Sequence, residues 1–146
     1  MINSALVKRK IDFIRADLVK LELYKTWTFD QIASDYVVHK AVERMIEIVV
    51  GEAIDINQHI IAHSPERNLP FDFKKSFLLL AKLDVYPKEF AEKIANSVGL
   101  RNILVHQYRE LDERVFYGSI KDCLRDYTAY CSYVLTYLEK LQKQAG

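Results

Sequence analysis

The stretch Gly99-Leu100-Arg101-Asn102-Ile103-Leu104-Val105-His106-Gln107-Tyr108 holds the residues with the clearest capacity for chemistry: an Arg, a His five positions on, and a Tyr two beyond that. A fixed guanidinium and an imidazole that titrates near neutrality suffice to cleave RNA through the ribose 2′-OH. The histidine takes the hydroxyl proton as general base, while the guanidinium holds the phosphate and the charge that develops on it. The scheme needs no metal. Geometry constrains it, because at 100° per residue Arg101 and Tyr108 lie within about 20° of each other on a regular helix, whereas His106 lies about 140° from Arg101. Either the helix ends near Val105 and the chain turns, or two chains pool their residues. On spacing alone, a capping cation and a helix-end histidine is the plainer reading of Arg101 and His106.

Three other groupings carry chemical potential. His59 and His63 stand four apart, a spacing that can put two imidazoles on one metal, but the intervening Ile60, Ile61 and Ala62 omit the Glu of a zinc protease motif. No third ligand is evident, and a helix-end pair packed against the bundle is the plainer expectation. Glu52, Asp55 and His59 share a helix face, where an acid can orient an imidazole across one turn. A buried polar network that pairs with an Arg from another helix is the plainer expectation. Cys123 and Cys131 lie about 12 Å apart along one helix, too far to bridge. Neither has a basic neighbour that would activate it, so both are expected in the core of a reduced, cytoplasmic protein.

The elements that must position these residues are helical. From Ser4 to Tyr24 the residues Leu6, Ile11, Ile14, Leu18 and Leu21 form one apolar stripe. Thr28 and Gln31 match a capping box that opens a second, long helix from about Asp30 to His63. Its stripe runs through Val37, Ala41, Val42, Met45, Ile48, Val49, Ala53, Ile56 and Ile60, with a possible break at Ser34-Asp35. Pro65 and Pro70 mark a loop. Asp72 is the expected cap of a third helix ending near Leu83, and Pro87 reads as the first-turn proline of a fourth that reaches Gly99 or beyond. Asp112 is the expected cap of the last helix. There Phe116, Ile120, Cys123, Tyr127, Cys131, Val134, Leu138 and Leu141 alternate steps of three and four. That long stripe suits either an ordinary bundle core or a homodimer seam. The expected architecture is a single all-α domain over residues 1–146, an up-down bundle of four to five helices.

Composition excludes several alternatives. The chain has 146 residues, half of them apolar, which is ample material for one core. Four Gly and three Pro are too few for the turns of an all-β chain. With glycine only at Gly51, Gly99, Gly118 and Gly146, neither a P-loop nor a G-x-G-x-x-G fingerprint can be written. The longest uncharged run, Tyr127 to Leu138, is well short of the roughly 20 residues of a membrane span. The first fifteen residues lack the apolar block of a signal peptide. A net charge of +1 argues against a general nucleic-acid coat, although Lys8, Lys74, Lys75 and Arg109 can supply a local patch.

The segment from Gly99 to Tyr108 resembles the R-x4-H-x-Y signature of HEPN-domain ribonuclease toxins of the HepT family. The run from Ala41 to Ile60, with its acidic, Ile-Asp-Ile and His-Ile elements, resembles that family's long second helix. The likeness covers essentially the whole chain in length, helix order and loop placement. It implies an all-helical HEPN fold, a homodimer with two motifs facing a shared cleft, and metal-independent RNA endonuclease activity. It further implies the toxin role in a type VII toxin–antitoxin pair. Carried over residue by residue, Arg101 would bind phosphate and stabilise the transition state, His106 would be the general base or acid, and Asn102 an auxiliary polar contact. Tyr108 would be the hydroxyl to which a minimal nucleotidyltransferase antitoxin adds AMP, placing charge and bulk beside the cleft. No metal, cofactor, DNA or membrane is expected. A non-catalytic adaptor, or a nucleotide- or substrate-binding subunit of a small nucleotidyltransferase, is the alternative from a different class.

Overall fold

The computed structural model describes residues 1–106 and 111–145, and among these it contains seven helices and no strand. They are α1 (Ser4–Glu22), α2 (Phe29–Ser34), α3 (Tyr36–Ala62), α4 (Phe73–Lys82), α5 (Lys88–Ala95), α6 (Ser97–His106) and α7 (Glu113–Ala145). The all-α expectation holds, and the higher count has two local causes. The capping box forms as read, with the Thr28 hydroxyl accepting from Gln31 N–H at 3.1 Å and the Gln31 side chain accepting from Thr28 N–H at 2.8 Å. The helix it opens stops at Ser34, because extended Asp35 (φ −100°, ψ 99°) restarts the chain as the cap of α3, accepting from Val38 N–H. The second break is at Asn96, which separates α5 from α6. Pro87 is not inside the first turn of α5. It occupies the cap position itself, with an extended ψ of 152°. Gly99 lies within α6 and ends nothing, and a Cβ there would meet no atom within 4 Å.

Buried apolar residues from all seven helices form one cluster. On α1 the stripe begins at Val7 rather than Leu6 and continues through Ile11, Ile14, Leu18 and Leu21. The α3 helix is covered on more sides than one stripe allows for. Ile46, Val50, Ile54 and Ile61 are buried along with Val42, Val49, Ala53, Ile56 and Ile60, whereas Val37, near its exposed start, is 75% exposed. It packs against α1, α2, α4, α6 and α7. On α7, Phe116, Ile120, Cys123, Tyr127, Cys131, Val134 and Leu138 are all buried within the single chain. That stripe is monomer core, and it does not call for a second copy. Among the described residues no helix is long and apolar enough to cross a membrane.

Polar pins set the register of these helices. Deep in the core, the Tyr130 hydroxyl donates to Asn57 Oδ1 at 2.6 Å, and the Asn57 amide donates to Ser76 Oγ at 3.1 Å, tying α7, α3 and α4 together. A hydroxyl has one proton, so the Ala53 carbonyl, 3.1 Å from the same oxygen, is the secondary acceptor. Phe77, Tyr86, Tyr127 and Tyr130 pack edge-on or tilted around this network. Burial pushes the Cys123 thiol up to about 12 and the Cys131 thiol up to about 11, in keeping with two structural cysteines.

Glu52 and Asp55 do form a polar network, but with a lysine and not an arginine. Lys10 of α1 donates to Glu52 at 3.0 Å and to Asp55 at 3.2 Å. Partial burial alone would lower the Lys10 pKa, yet the two carboxylates outweigh it and the net shift is upward. His59 stands outside this network. Its Nε2 accepts from the backbone N–H of Asn3, a group at the exposed start of α1. His63 Nδ1 donates to the His59 carbonyl at 2.9 Å, and the two rings lie 4.5 Å apart. Among the described residues, no group of three or more His, Cys, Asp or Glu is placed to hold a metal.

Two measurements follow from these pins. Replacing Tyr130 with Phe strands the buried Asn57 carbonyl oxygen, and the expected loss is about 1–3 kcal/mol in urea unfolding at unchanged m. A variant as stable as the wild type would show that this bond pins nothing. Desolvation first, then His63 and the N-terminal ammonium, lower the His59 pKa in the folded state. The stabilisation from neutral His59 is therefore complete above the unfolded value near 6.5 and is lost as pH falls through the lower folded value. Across that window, wild type should lose stability relative to His59→Gln, which accepts a hydrogen bond without titrating. Parallel pH profiles for the two proteins would contradict this.

Candidate active site

The α6 helix carries the Arg-His pair, and its ladder is continuous from Ser97 to His106. The chain therefore does not turn before the histidine, and the roughly 140° between Arg101 and His106 on the wheel is retained. Both residues lie at the periphery: Arg101 and Asn102 are half-buried, and His106, the last residue of the helix, is exposed. Leu104, opposite Asn102 and His106 but only about 60° from Arg101 on the wheel, anchors α6 in the core beside Val98. At the start of α6, Ser97 Oγ lies 2.6 Å from the hydroxyl of buried Tyr127 and fixes the helix against α7. Tyr108 and Arg109 lie outside the described residues.

Among the described residues Arg101 is a cation without a counter-ion: no described carboxylate lies within ion-pair distance of it, and its one described polar partner is Asn102 Oδ1, a long 3.4 Å from a terminal guanidinium nitrogen. Its Nε is buried and has no hydrogen-bond partner among the described residues. The guanidinium lies over the ring of Phe73, the first residue of α4, with Cζ 5.4 Å from the ring centroid. The ring face attracts the cation without neutralising it. An unmade bond to such a donor costs about 1–3 kcal/mol. Such a guanidinium has donors that an anion with several acceptor oxygens can engage. Asn102 follows Arg101 in α6 and offers the guanidinium only this one long bond.

A cavity of about 390 Å³ next to α6 contains a cluster that the sequence reading passed over. Ile103 and Leu104 form part of its wall, facing His39, Glu43 and Glu113. His39 is clamped between two carboxylates, with Nδ1 3.0 Å from Glu43 and Nε2 2.7 Å from Glu113. A ring with a proton on each nitrogen serves both acids, and a neutral ring serves only one. The His39 ring also packs 4.7 Å from Phe116. The clamp joins the first turn of α7 to α3, and so sets where the chain re-enters the bundle after the motif. The i,i+4 spacing of His39 and Glu43 was the available sequence signal, but Glu113 is joined only by the fold.

The chain is similar to known proteins over most of its length. The HepT-like family, described as Ribonuclease HepT-like, matches residues 14–134. A tRNA nuclease HepT from Aphanizomenon flos-aquae is 28% identical over 143 residues, covering 98% of this chain and 97% of the relative. An mRNA nuclease HepT from Shewanella oneidensis is 27% identical over 100 residues, covering 68% of this chain and 74% of the relative. Among solved structures, the tri-AMPylated HEPN toxin of Shewanella oneidensis in complex with its MNT antitoxin superposes with a TM-score of 0.80. It is 23% identical and covers 92% of this chain and 98% of that one. A toxin–antitoxin structure with AMP-PNP also gives 0.80, at 22% identity and with 91% and 99% covered. These two likenesses establish the fold. The matched span begins in α1 and ends in α7, taking in the core and the Arg101–His106 segment alike, and the protein belongs to the HepT-like ribonuclease family.

Proposed function

We propose that this protein is a metal-independent RNA endonuclease and the toxin of a toxin–antitoxin pair. Arg101 holds the scissile phosphate, and His106 moves the proton of the ribose 2′-OH. The observation that carries the reading is Arg101 itself: among the described residues, a half-buried guanidinium with no carboxylate partner, an unpaired Nε and a ring behind it. Such a group is poorly explained as a structural ion pair and well explained as a phosphate site. In the reaction, His106 takes the 2′-OH proton, the 2′-oxygen attacks phosphorus, and the bond to the 5′-oxygen breaks. The leaving oxygen takes up a proton, giving a 2′,3′-cyclic phosphate and a 5′-hydroxyl. Arg101 stabilises the charge on the phosphoryl oxygens, and Asn102 holds the guanidinium edge.

An uninterrupted α6 favours pooling between chains, since one helix does not aim both groups at one phosphate. We infer a homodimer in which Arg101 of one copy and His106 of the other share a cleft. The names of the relatives, tRNA nuclease and mRNA nuclease, support RNA as substrate. The AMPylated toxin bound to its antitoxin supports a nucleotidyltransferase partner that silences the protein by adding AMP to Tyr108. Its place of action is then the cytoplasm, where RNA and nucleotide meet it.

The test is cleavage of RNA by AMP-free protein, checked by intact mass, in EDTA and in magnesium. Equal rates in the two buffers and cyclic-phosphate ends are expected. His106→Ala should lose about 10²–10⁴-fold in rate, and Arg101→Lys should fall well below wild type, since an ammonium lacks the forked donors. Intact RNA with the wild-type protein, beside normal binding of the nucleotidyltransferase, would favour the adaptor reading instead.

A further inference from the structure

Beside Arg101, the start of α4 presents an aromatic ring and two cations with no acid assigned to them. Phe73 keeps 37% of its surface exposed although the Arg101 guanidinium lies 5.4 Å from its ring centroid. Lys74 and Lys75 follow directly, both exposed and neither in an ion pair among the described residues. They border a groove of about 460 Å³ with Leu69, Leu78 and Lys82. Two acids stand nearby, and both are engaged. Asp72, also on the groove, accepts from Lys75 N–H at 2.7 Å as the helix cap, and Glu66 takes Lys82 at 3.3 Å. Although the whole chain carries only +1, Lys74 and Lys75 directly follow the ring that the Arg101 guanidinium overlies, which sets three cations about one aromatic side chain.

We infer that Phe73, Lys74 and Lys75 form the track along which single-stranded RNA reaches Arg101, the ring stacking a base next to the scissile phosphate and the lysines holding phosphates beyond it. The inference rests on the ribonuclease reading and extends it to substrate binding. Rings beside cations are how proteins hold single strands without reading sequence: every base has a π-face and every linkage a charge. An acidic protein surface would match the lysines, but it would have no use for an open ring backed by the phosphate-binding arginine. The low overall charge is then no obstacle, because affinity depends on the few cations that touch the strand.

The experiment measures binding of fluorescein-labelled single-stranded RNA of mixed sequence to full-length protein carrying His106→Ala, by anisotropy over a range of salt. Adding Lys74→Gln and Lys75→Gln together should weaken binding and reduce the slope of log K against log salt by about 1.4, or about 0.7 per lost phosphate contact. Phe73→Leu should weaken binding about fivefold or more at an unchanged slope, and Phe73→Tyr should restore it. Lys143→Gln, in the last turn of α7, serves as the control with wild-type affinity. Circular dichroism melts confirm that each variant is folded. If the wild-type protein cuts RNA while the Phe73 and lysine variants keep full affinity and slope, this inference falls and the ribonuclease reading stands. Weakened binding to the nucleotidyltransferase with RNA binding intact also overturns it, in favour of a protein partner. If wild type neither cuts nor binds RNA, both fail.

Discussion

The structure depends on the burial of α3. Over most of its 27 residues this helix is shielded by neighbours on several sides, and each neighbour gains its place by covering part of it. Apolar burial supplies the larger share of the stabilisation but is indifferent to direction. The polar pins supply the register. Lys10 reaches Glu52 and Asp55, Asn3 N–H meets His59, Ser76 and Tyr130 meet Asn57, and Glu113 meets His39. Each pin joins α3 to a different partner helix or to a different part of one. A slip of any partner along α3 leaves a polar group without its mate, at a cost comparable to losing a hydrogen bond.

This frame gives α6 its position. Val98 and Leu104 are buried with half-buried Arg101 between them on the wheel, while Asn102 and exposed His106 face away from that side. Among the described residues nothing neutralises Arg101. A ring in place of a carboxylate holds the guanidinium still while leaving its charge available, which a salt bridge would not do. The buried Nε, unpaired among those residues, is a local cost carried by a fold whose stability lies elsewhere. That is the pattern expected where binding rather than stability has selected the residue. The two thiols and the His59–His63 pair show the opposite pattern, with groups of chemical potential occupied by structural roles.

Much of this was legible in the sequence, and the failures have physical causes. The capping residues Thr28, Gln31, Asp72 and Asp112 act through local bonds three residues long or shorter, so sequence spacing suffices to find them. The α7 stripe was visible too, but whether a stripe meets its own chain or a copy depends on what the fold brings against it. Here it meets its own chain. The Lys10 partner of Glu52 and Asp55 was mistaken for an Arg because it lies more than forty residues away in sequence. Phe73 beside Arg101 and Glu113 beside His39 are likewise brought together only by the fold. The Arg-His motif was found from residue chemistry and family likeness, whereas the continuity of α6 through His106, which bears on how the pair is shared, required coordinates.

The most direct test of the central claim, that Arg101 and His106 act together across two chains, is complementation within a mixed dimer. Arg101→Ala and His106→Ala chains are co-expressed with different affinity tags, and the heterodimer is isolated through both tags and assayed for RNA cleavage. In that dimer one cleft retains Arg101 from one copy and His106 from the other. The account predicts activity far above that of either variant homodimer. A heterodimer as inactive as its parents, when wild-type homodimer cuts RNA under the same conditions, would contradict it.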